Sequence, residues 1–465
     1  MAKIIFNPRD EAIIFLEDKN LIYIYESFYG YKDGFYQPIV DDFIKNDIQI
    51  QLNDEHSGST NKVEQVFKSV KFILSNKNVD LDGSLKYINC KNGMLDIRTF
   101  EFLPHSSDVI FLYKLKVNYN EFSECPTFLK FIGDVFVDGN YKTDASTVDY
   151  IHKFIGYCFY PKIKFDNAMV LLGQGSNGKS IFMYVIEHLF EEAVSHVRFD
   201  EIGINQFRTS GLIGKMLNIS PELDSKSKMS GSEIKAIISG DTITVEKKYK
   251  DAFSCKLTTK HIVTANSLPA SSDNSYGFYR RFDIIPFRQK FLDKIKDRKE
   301  IEECDRLNIP YKEAGDRIKL EKNLTKELDG IFLWAIQGLK KLMKDKRFPS
   351  IEQTDMVRNM LREDTDTAEM FIESCLESFF GYTPYSLVCD EYKKFCNVLN
   401  LVPQKNKYFK LKLKESGIVV AKYGNGGYQQ LYNTKLKEQI AIKKVIENIK
   451  PITKIADTDM HKFDI

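Results

Sequence analysis

The 465-residue chain reads as a multidomain α/β protein: an N-terminal α+β part, a central parallel sheet covered by helices, and a C-terminal unit of helices closed by a hairpin. Three observations predict this. Between about 160 and 345, short apolar runs alternate with amphipathic helical runs, the pattern of a parallel sheet with helical crossovers. After about 367, helical segments lead into the glycine-rich turn Gly424-Asn-Gly-Gly427. The length itself suits about three domains.

Bulk composition narrows the classes. At 43% apolar residues the chain can build several cores, and 67 Lys+Arg against 65 Asp+Glu leave a net charge of only +2. Any contact with nucleic acid therefore depends on local basic patches. The eight cysteines (90, 125, 158, 255, 304, 375, 389, 396) form no CxxC pair, and the seven histidines complete no zinc-ligand spacing. Reduced thiols in a cytoplasmic protein are expected. Met1-Ala-Lys-Ile-Ile-Phe-Asn-Pro-Arg-Asp10 soon meets charge and proline, and no apolar run approaches about 18 residues, so neither secretion nor membrane insertion is expected.

Taken in order, residues 1–125 form the N-terminal α+β domain, with an amphipathic helix at Thr60–Leu74. From Lys86 to Lys116 short extended runs turn at Asn92-Gly93 and Pro104-His105. A helical connector covers 126–160, with Cys125-Pro126 near its start and Val148–Gly156 as its clearest segment. The sheet-bearing core covers 161–345, and a polar, proline-bearing linker covers 346–366. The third unit, 367–440, has helices at about 367–379 and 387–399, a basic helix at 404–416 and the hairpin. Residues 441–465 are a C-terminal helix or tail.

The core carries the strongest chemistry. Asn167–Leu172 reads as a buried strand and Ile181–Phe190 as a helix with Phe182, Val185, Ile186 and Leu189 on one face. Between them stands Gly173-Gln-Gly175-Ser176-Asn177-Gly178-Lys179-Ser180, a phosphate-gripping loop in strand–loop–helix context. Glycines let backbone N–H groups converge on phosphate oxygens, and the helix start adds a positive end. Gly173, Gly175, Ser176, Asn177, Gly178, Lys179, Ser180 and Ile181 are the candidate nucleotide-binding set. Lys179 reaches the β and γ phosphates and the Ser180 hydroxyl ligates Mg²⁺.

Further along, Leu217-Asn-Ile-Ser-Pro-Glu222-Leu-Asp224 is a short strand ending in acids that suit a Mg²⁺-held water. Glu222 is the first choice and Asp224 the reserve. A helix at Ser232–Gly240 leads into two extended runs joined by a tip bearing Lys247, Lys248 and Lys250. Lysines beside aromatics suit a sugar-phosphate backbone. The strand ending at Asn266 offers an amide to sense a γ phosphate, and Arg280 and Arg281 follow. A guanidinium supplied by a neighbouring subunit would make phosphoryl transfer depend on assembly into a ring.

In this order the motifs resemble a superfamily 3 helicase, of the phage and plasmid primase-helicase and poxvirus primase-helicase group. The residues are Gly-x-Gly-x-Asn-Gly-Lys-Ser, the strand ending in Glu222, Ile-Ser-Gly-Asp-x-Ile-x-Val-x-Lys-Lys-Tyr, Thr-Ala-Asn266-x-x-Pro269 and Arg-Arg-Phe-x-x-x-Pro-Phe. The resemblance covers about 160–345, including Leu328–Leu339 at its end. A weaker one continues into Asn92-Gly93-Met-Leu-Asp96 and Pro104-His105-Ser.

The resemblance implies an AAA+ like ATPase that uses ATP and Mg²⁺, assembles as a homo-hexamer and translocates 3′ to 5′ on single-stranded DNA. It makes Lys179 and Ser180 the Walker A pair, Glu222 the Walker B acid, Asn266 the sensor and Arg281 the finger acting in trans, with Arg280 beside it. Lys247 and Lys248 fall on the pre-sensor hairpin. One departure is Asn218 and Ser220-Pro221 where a second acid often stands. No paired-carboxylate strand motif occurs among the first 125 residues, so primer synthesis is left to a separate primase or host replication proteins.

Helix, helix, basic helix, hairpin is the order of a winged helix. On the basic helix Phe409 and Leu413 face inward, while Lys407, Lys410 and Lys414 share an outer face suited to the major groove of double-stranded DNA. Gln404, Asn406 and Tyr408 are the candidates for base reading, and the Tyr423–Tyr428 hairpin for phosphate contact. Helicase plus DNA-reading module is the layout of a replication initiator of a phage or mobile element, such as those of staphylococcal pathogenicity islands, that binds and melts an origin. Two other readings share the loop: an ATPase that remodels protein or packages DNA without unwinding, and a small-molecule phosphotransferase with its arginines in cis.

Overall fold

Residues 8–75 enclose a core of their own. A computed structural model of the chain describes residues 6–52, 59–77, 79, 81–173, 175–202, 204–221, 231–248, 250–266, 280–307, 309–351, 354–355, 367–398, 403–423 and 428–436. Helix α1 (Pro8–Leu16) begins with proline at a position that needs no N–H and is capped by the Asn7 side chain, which accepts from Arg9 N. Strands β1 (Leu21–Ile24), β2 (Ser27–Lys32) and β3 (Phe35–Ile39) form an antiparallel meander. Helices α2 (Asp41–Gln51) and α3 (Thr60–Ser75) follow, the second within one residue of its predicted span. Phe15, Phe28, Ile44, Val66 and Val70 fill the interior between them.

A second meander comprises β4 (Tyr87–Cys90), β5 (Gly93–Asp96) and β6 (Phe102–Leu103); its first turn is Lys91-Asn92, one residue before the expected Asn92-Gly93, and Gly93 opens β5 opposite Cys90. Its buried residues Ile88 and Leu95, with Leu115 and Val117, belong to the large central core and not to that of residues 8–75. The hydrophobic interior thus divides near residue 80, well before the composition boundary at 125.

The connector holds α4 (Pro126–Val135) and α5 (Ala145–Cys158). Beyond it come β7 (Ala168–Leu172), α6 (Lys179–Phe190), β8 (Val194–Ser195), the single turn α7 (Gln206–Thr209), β9 (Leu217–Ser220) and α8 (Gly231–Ser239). Next are β10 (Thr242–Val245), β11 (Phe253–Lys256), β12 (Lys260–Ala265) and β13 (Phe282–Pro286). Strands β14 (Lys290–Leu292) and β15 (Tyr311–Glu313) flank α9 (Arg298–Leu307), and α10 (Arg317–Lys326) and α11 (Leu328–Asp345) close the region.

Five of these strands form one parallel sheet in the order β13-β7-β12-β9-β8. Its interior strand β7 reads as the continuous apolar run Ala-Met-Val-Leu-Leu because both faces are covered. Met169 and Leu171 of β7 face a core with Phe182, Ile186 and Phe332, while Ala168, Val170 and Leu172 face Phe199, Ile234 and Ile238. The long extended run expected up to Asn266 is divided: β10 and β11 make an antiparallel hairpin outside the sheet, and only β12 enters it. Thr259 marks the break, its hydroxyl donating to Leu212 O at 3.1 Å and Lys215 O at 2.9 Å. The β14–α9–β15 insertion, for which no separate elements were expected, has a small core of Leu292, Cys304 and Leu307.

The C-terminal unit runs α12 (Thr367–Cys375), β16 (Leu376–Pro384), α13 (Tyr385–Val398), α14 (Asn406–Glu415), β17 (Val420–Tyr423) and β18 (Tyr428–Leu436), with sheet order β16-β18-β17. The helix expected over 367–379 stops at Cys375. The chain that follows pairs with β18 on both sides of an irregularity between Ser378 and Tyr382, with Leu376 opposite Leu436 and Thr383 opposite Leu431. The tip Gly424–Gly427 and residues 441–465 lie outside the described residues, although Tyr423 and Tyr428 face each other across the hairpin. Among the described residues no helix is long and apolar enough to cross a membrane.

Helices α5 and α11 cross so closely that two glycines are required there. A Cβ on Gly338 would lie 2.1 Å from His152 O, and one on Gly156 2.3 Å from Ala335 O. Gly338→Ala is expected to cost about 1–3 kcal/mol of unfolding free energy in a urea titration, whereas Gly315→Ala, with nothing near its Cβ, is expected to leave it unchanged or slightly raised. His261, 1% exposed in β12, has both ring nitrogens unpartnered among the described residues, and burial pushes its pKa from 6.5 down to about 3. Its folded-state value is depressed, so its contribution is complete above pH 6.5 and lost as pH falls towards 3. His261→Phe is expected to flatten that part of the stability profile.

Candidate functional site

The loop after β7 has a conformation that gathers donors. Gly175, Ser176 and Gly178 have φ of +110°, +47° and +83°, so backbone N–H groups turn inward as in an anion-binding nest. At Gly178 a Cβ would also lie 2.9 Å from Val135 Cγ2 of α4, so connector and loop meet at a glycine. Asn177, 4% exposed, ties the loop down: its Oδ1 accepts from Lys179 N at 3.3 Å and its Nδ2 donates to Phe287 O at 3.4 Å. Phe291 N donates to Ser176 O at 2.6 Å. Helix α6 starts at Lys179 and brings its unpaired first-turn N–H groups to the same place, with Ser180 exposed beside them.

Register brings the other half of the site alongside. Leu172 of β7 is level with Ala265 of β12, so Gly173 and Asn266 leave the sheet as neighbours. Lys179 Nζ bridges them, donating to Gly173 O at 2.9 Å, Ala265 O at 3.2 Å and Asn266 Oδ1 at 3.3 Å. Strand β9 ends at the same edge, Ser220 being level with Val263. Glu222 and Asp224 lie outside the described residues.

Asn218 and Ser220 stand where a second acid was looked for, and both are spent on the fold. Asn218 Oδ1 accepts from Ser195 Oγ at 2.8 Å and Val197 N at 2.9 Å, and its Nδ2 donates to Val197 O at 2.9 Å. Ser220 Oγ accepts from Phe199 N at 2.9 Å. Fully buried, they clip the sheet edge.

The two arginines sit at the opposite end of the sheet. Arg281 O accepts from Ala168 N at 2.7 Å, at the start of β7. Five residues of strand at about 3.3 Å each separate that point from the loop by about 16 Å, beyond the reach of an arginine side chain. Arg281 is anchored within its own chain: Nε and Nη2 donate to Ser239 Oγ at 3.3 and 3.0 Å, and Nη2 lies 3.8 Å from Asp166 Oδ2. Arg280 is exposed and lines a surface cavity with Asp283 and Arg347.

The lysine-tipped hairpin of β10 and β11 faces the first meander. Lys247 Nζ donates to Ser27 Oγ at 3.0 Å and lies 5.8 Å from the centre of the Tyr29 ring, and burial lowers its pKa. Lys250 pairs with Asp41 at 3.2 Å, and Phe253 stacks on Tyr25 at 5.6 Å. Lys248 is exposed. These N-terminal partners were missed from sequence, because contacts across more than 200 residues leave no local pattern.

On α14, Phe409 and Leu413 are buried, as the helical spacing predicts, and Lys407 and Lys414 are exposed. Lys410 instead lies 4.9 Å over the Tyr385 ring. Of the base-reading candidates, Asn406 accepts from the Tyr385 hydroxyl, Gln404 donates its main-chain N–H to the Tyr392 hydroxyl at 2.9 Å, and Tyr408 is 38% exposed.

The family described as "D5 N terminal like" matches residues 12–137. A family of unknown function, DUF5906, matches residues 171–281, from the end of β7 to Arg281. "Putative helicase L207/L206" of Acanthamoeba polyphaga mimivirus is 25% identical over 227 residues, which are 46% of this chain and 23% of that protein. The chain thus aligns with less than a quarter of that relative's length. Two apo structures of the NrS-1 C-terminal region also match: one at TM-score 0.42 and 12% identity over 92% of this chain and 100% of that one, the other at 0.41 and 14% over 92% and 99%.

Asn218→Asp tests the role of the sheet-edge clip. A carboxylate there loses the donor to Val197 O and buries a charge, so a loss of about 3 kcal/mol in chemical denaturation is expected, with no gain in Mg²⁺ affinity.

Proposed function

We propose that the chain is an ATP-driven DNA helicase of the superfamily 3, AAA+ like kind, acting as a ring in replication of a virus, phage or mobile element. The D5-like N-terminal match and the similarity to a mimivirus protein carrying a helicase name support this reading. The observation that carries it is the division of the site: loop, Lys179 and Asn266 at one end of the sheet, Arg280 and Arg281 at the other. An ATPase that needs both must take its arginine from a neighbouring subunit, which a hexameric ring supplies.

ATP fits the loop, whose inward N–H groups, α6 terminus and exposed Ser180 hydroxyl suit a triphosphate. Ser180 and Glu222 would hold Mg²⁺, which when bound neutralises charge on the β and γ oxygens. Lys179 exchanges its carbonyl partners for phosphate oxygens, and this releases the Asn266 amide to orient the attacking water. Glu222 polarises that water. Of the two arginines, Arg280 is exposed at the surface, whereas Arg281, through Ser239, fixes the end of α8.

Turnover would be read by the β10–β11 hairpin, whose lysines grip single-stranded DNA during 3′ to 5′ translocation. The C-terminal unit would act as a winged helix on origin DNA through Lys407, Lys410 and Lys414. Lysine contacts give an affinity that falls steeply with salt. Primer synthesis falls to a separate primase.

A forked duplex with ATP and Mg²⁺ should be unwound by the assembled chain; an assembled ring that hydrolyses ATP without displacing a strand would contradict the proposal. Arg280→Ala should retain nucleotide binding and lose turnover by about 10³–10⁵, and mixing it with Lys179→Ala should restore part of the activity at composite interfaces. No rescue at any ratio would argue against a finger in trans. Because Ser27 and Asp41 hold Lys247 and Lys250, Ser27→Ala with Asp41→Ala should tighten binding of a labelled oligothymidylate several-fold, measured by fluorescence anisotropy.

A further inference from the structure

The sheet end away from the phosphate loop opens into a second cavity, of about 660 Å³, between the second meander, the 160–163 loop and the starts of β9 and β12. Such a volume is usual for small-molecule sites. Five lysines line it, 86, 162, 215, 256 and 260, and among its lining residues there is no Asp or Glu. Lys86, Lys162 and Lys256 are exposed at its mouth.

Lys260 is the unusual member. It is 2% exposed, and its Nζ donates to two main-chain carbonyls, Thr258 O at 2.9 Å and Tyr160 O, and lies 5.0 Å from the centre of the Tyr157 ring. No carboxylate pairs with it among the described residues. An ammonium buried on carbonyl dipoles alone lacks the counter-charge that buried ions normally have, and burial pushes its pKa down to about 7. An independent observation concerns another residue lining the cavity: the Tyr113 hydroxyl is buried and has no hydrogen-bond partner among the described residues. A buried cation without an anion and a buried hydroxyl without a partner thus share one lysine-lined cavity.

We propose that this cavity is a second nucleotide site, distinct from the loop at residues 173–180, in which a phosphate pairs with Lys260 and accepts from the Tyr113 hydroxyl. The apolar wall formed by Leu112, Ile163 and Leu257 suits a base, which distinguishes a nucleotide from inorganic phosphate. The occupant is a free nucleotide or one unit of a single strand; the chemistry is shared. Ser239 and Cys255 also line the cavity. The cavity thus borders both the serine that anchors Arg281 and the base of the lysine hairpin.

The test uses the full chain carrying Lys179→Ala, which silences the loop site and so separates this proposal from the function proposed above. In calorimetric titration with ATP, one site per chain is expected to remain. Lys260→Met and Tyr113→Phe should each weaken it, the former at least tenfold. Lys162→Glu with Lys256→Glu, both at exposed positions and thus compatible with folding, should also weaken it at least tenfold. Displacement of the bound ATP by oligothymidylate identifies a strand unit as the occupant, and no displacement identifies a free nucleotide. Absence of ATP binding in the Lys179→Ala chain, or binding indifferent to the cavity variants, overturns the proposal.

Discussion

One ammonium joins the two halves of the candidate catalytic edge. Lys179 Nζ touches the Gly173 carbonyl just after β7, the carbonyl that ends β12 and the side chain of Asn266. That arrangement needs parallel strands in a fixed register, because a slip of one residue would move Asn266 away and reverse every side chain between the two cores. The double burial of β7, β12 and β13 supplies that register. The α5–α11 crossing, close enough to demand Gly156 and Gly338, forms part of one face of the sheet's support.

The same parallel geometry imposes a separation. Residues that follow strands gather at one edge, and residues that precede them gather at the other. Arg280 and Arg281 precede β13, so they are held about 16 Å from their own loop by the strand length alone. In the proposed ring, that distance makes hydrolysis a property of the interface between subunits. The lysine hairpin is held by contacts with Ser27, Tyr29 and Asp41, so in the proposed function the N-terminal unit would compete with a nucleic acid for the same cations.

Much of this was legible in the sequence where the signal was local. The strand–loop–helix around Gly173–Ser180, the spans Thr60–Ser75 and Asn406–Glu415, and the inward pair Phe409 and Leu413 follow from periodicity and turn chemistry. Other features depended on partners distant along the chain. Strand β16 lacks a helix-stopping glycine or proline at its start and takes its form from pairing with β18. Asn218 looked like a gap in a metal shell and proves to be a clip for the sheet edge, a role set by Ser195 and Val197. The hairpin lysines were found by composition, but what they face, across more than 200 residues, was not. Glu222, Asp224 and the Gly424–Gly427 tip fall outside the described residues.

The central claim, that the site is completed across a subunit boundary, is tested most directly by following ATP turnover per chain across a dilution series while the assembled mass is measured in the same samples. Turnover that collapses in step with dissociation of the ring is the result this account predicts. Constant turnover per chain down to the isolated monomer would contradict it.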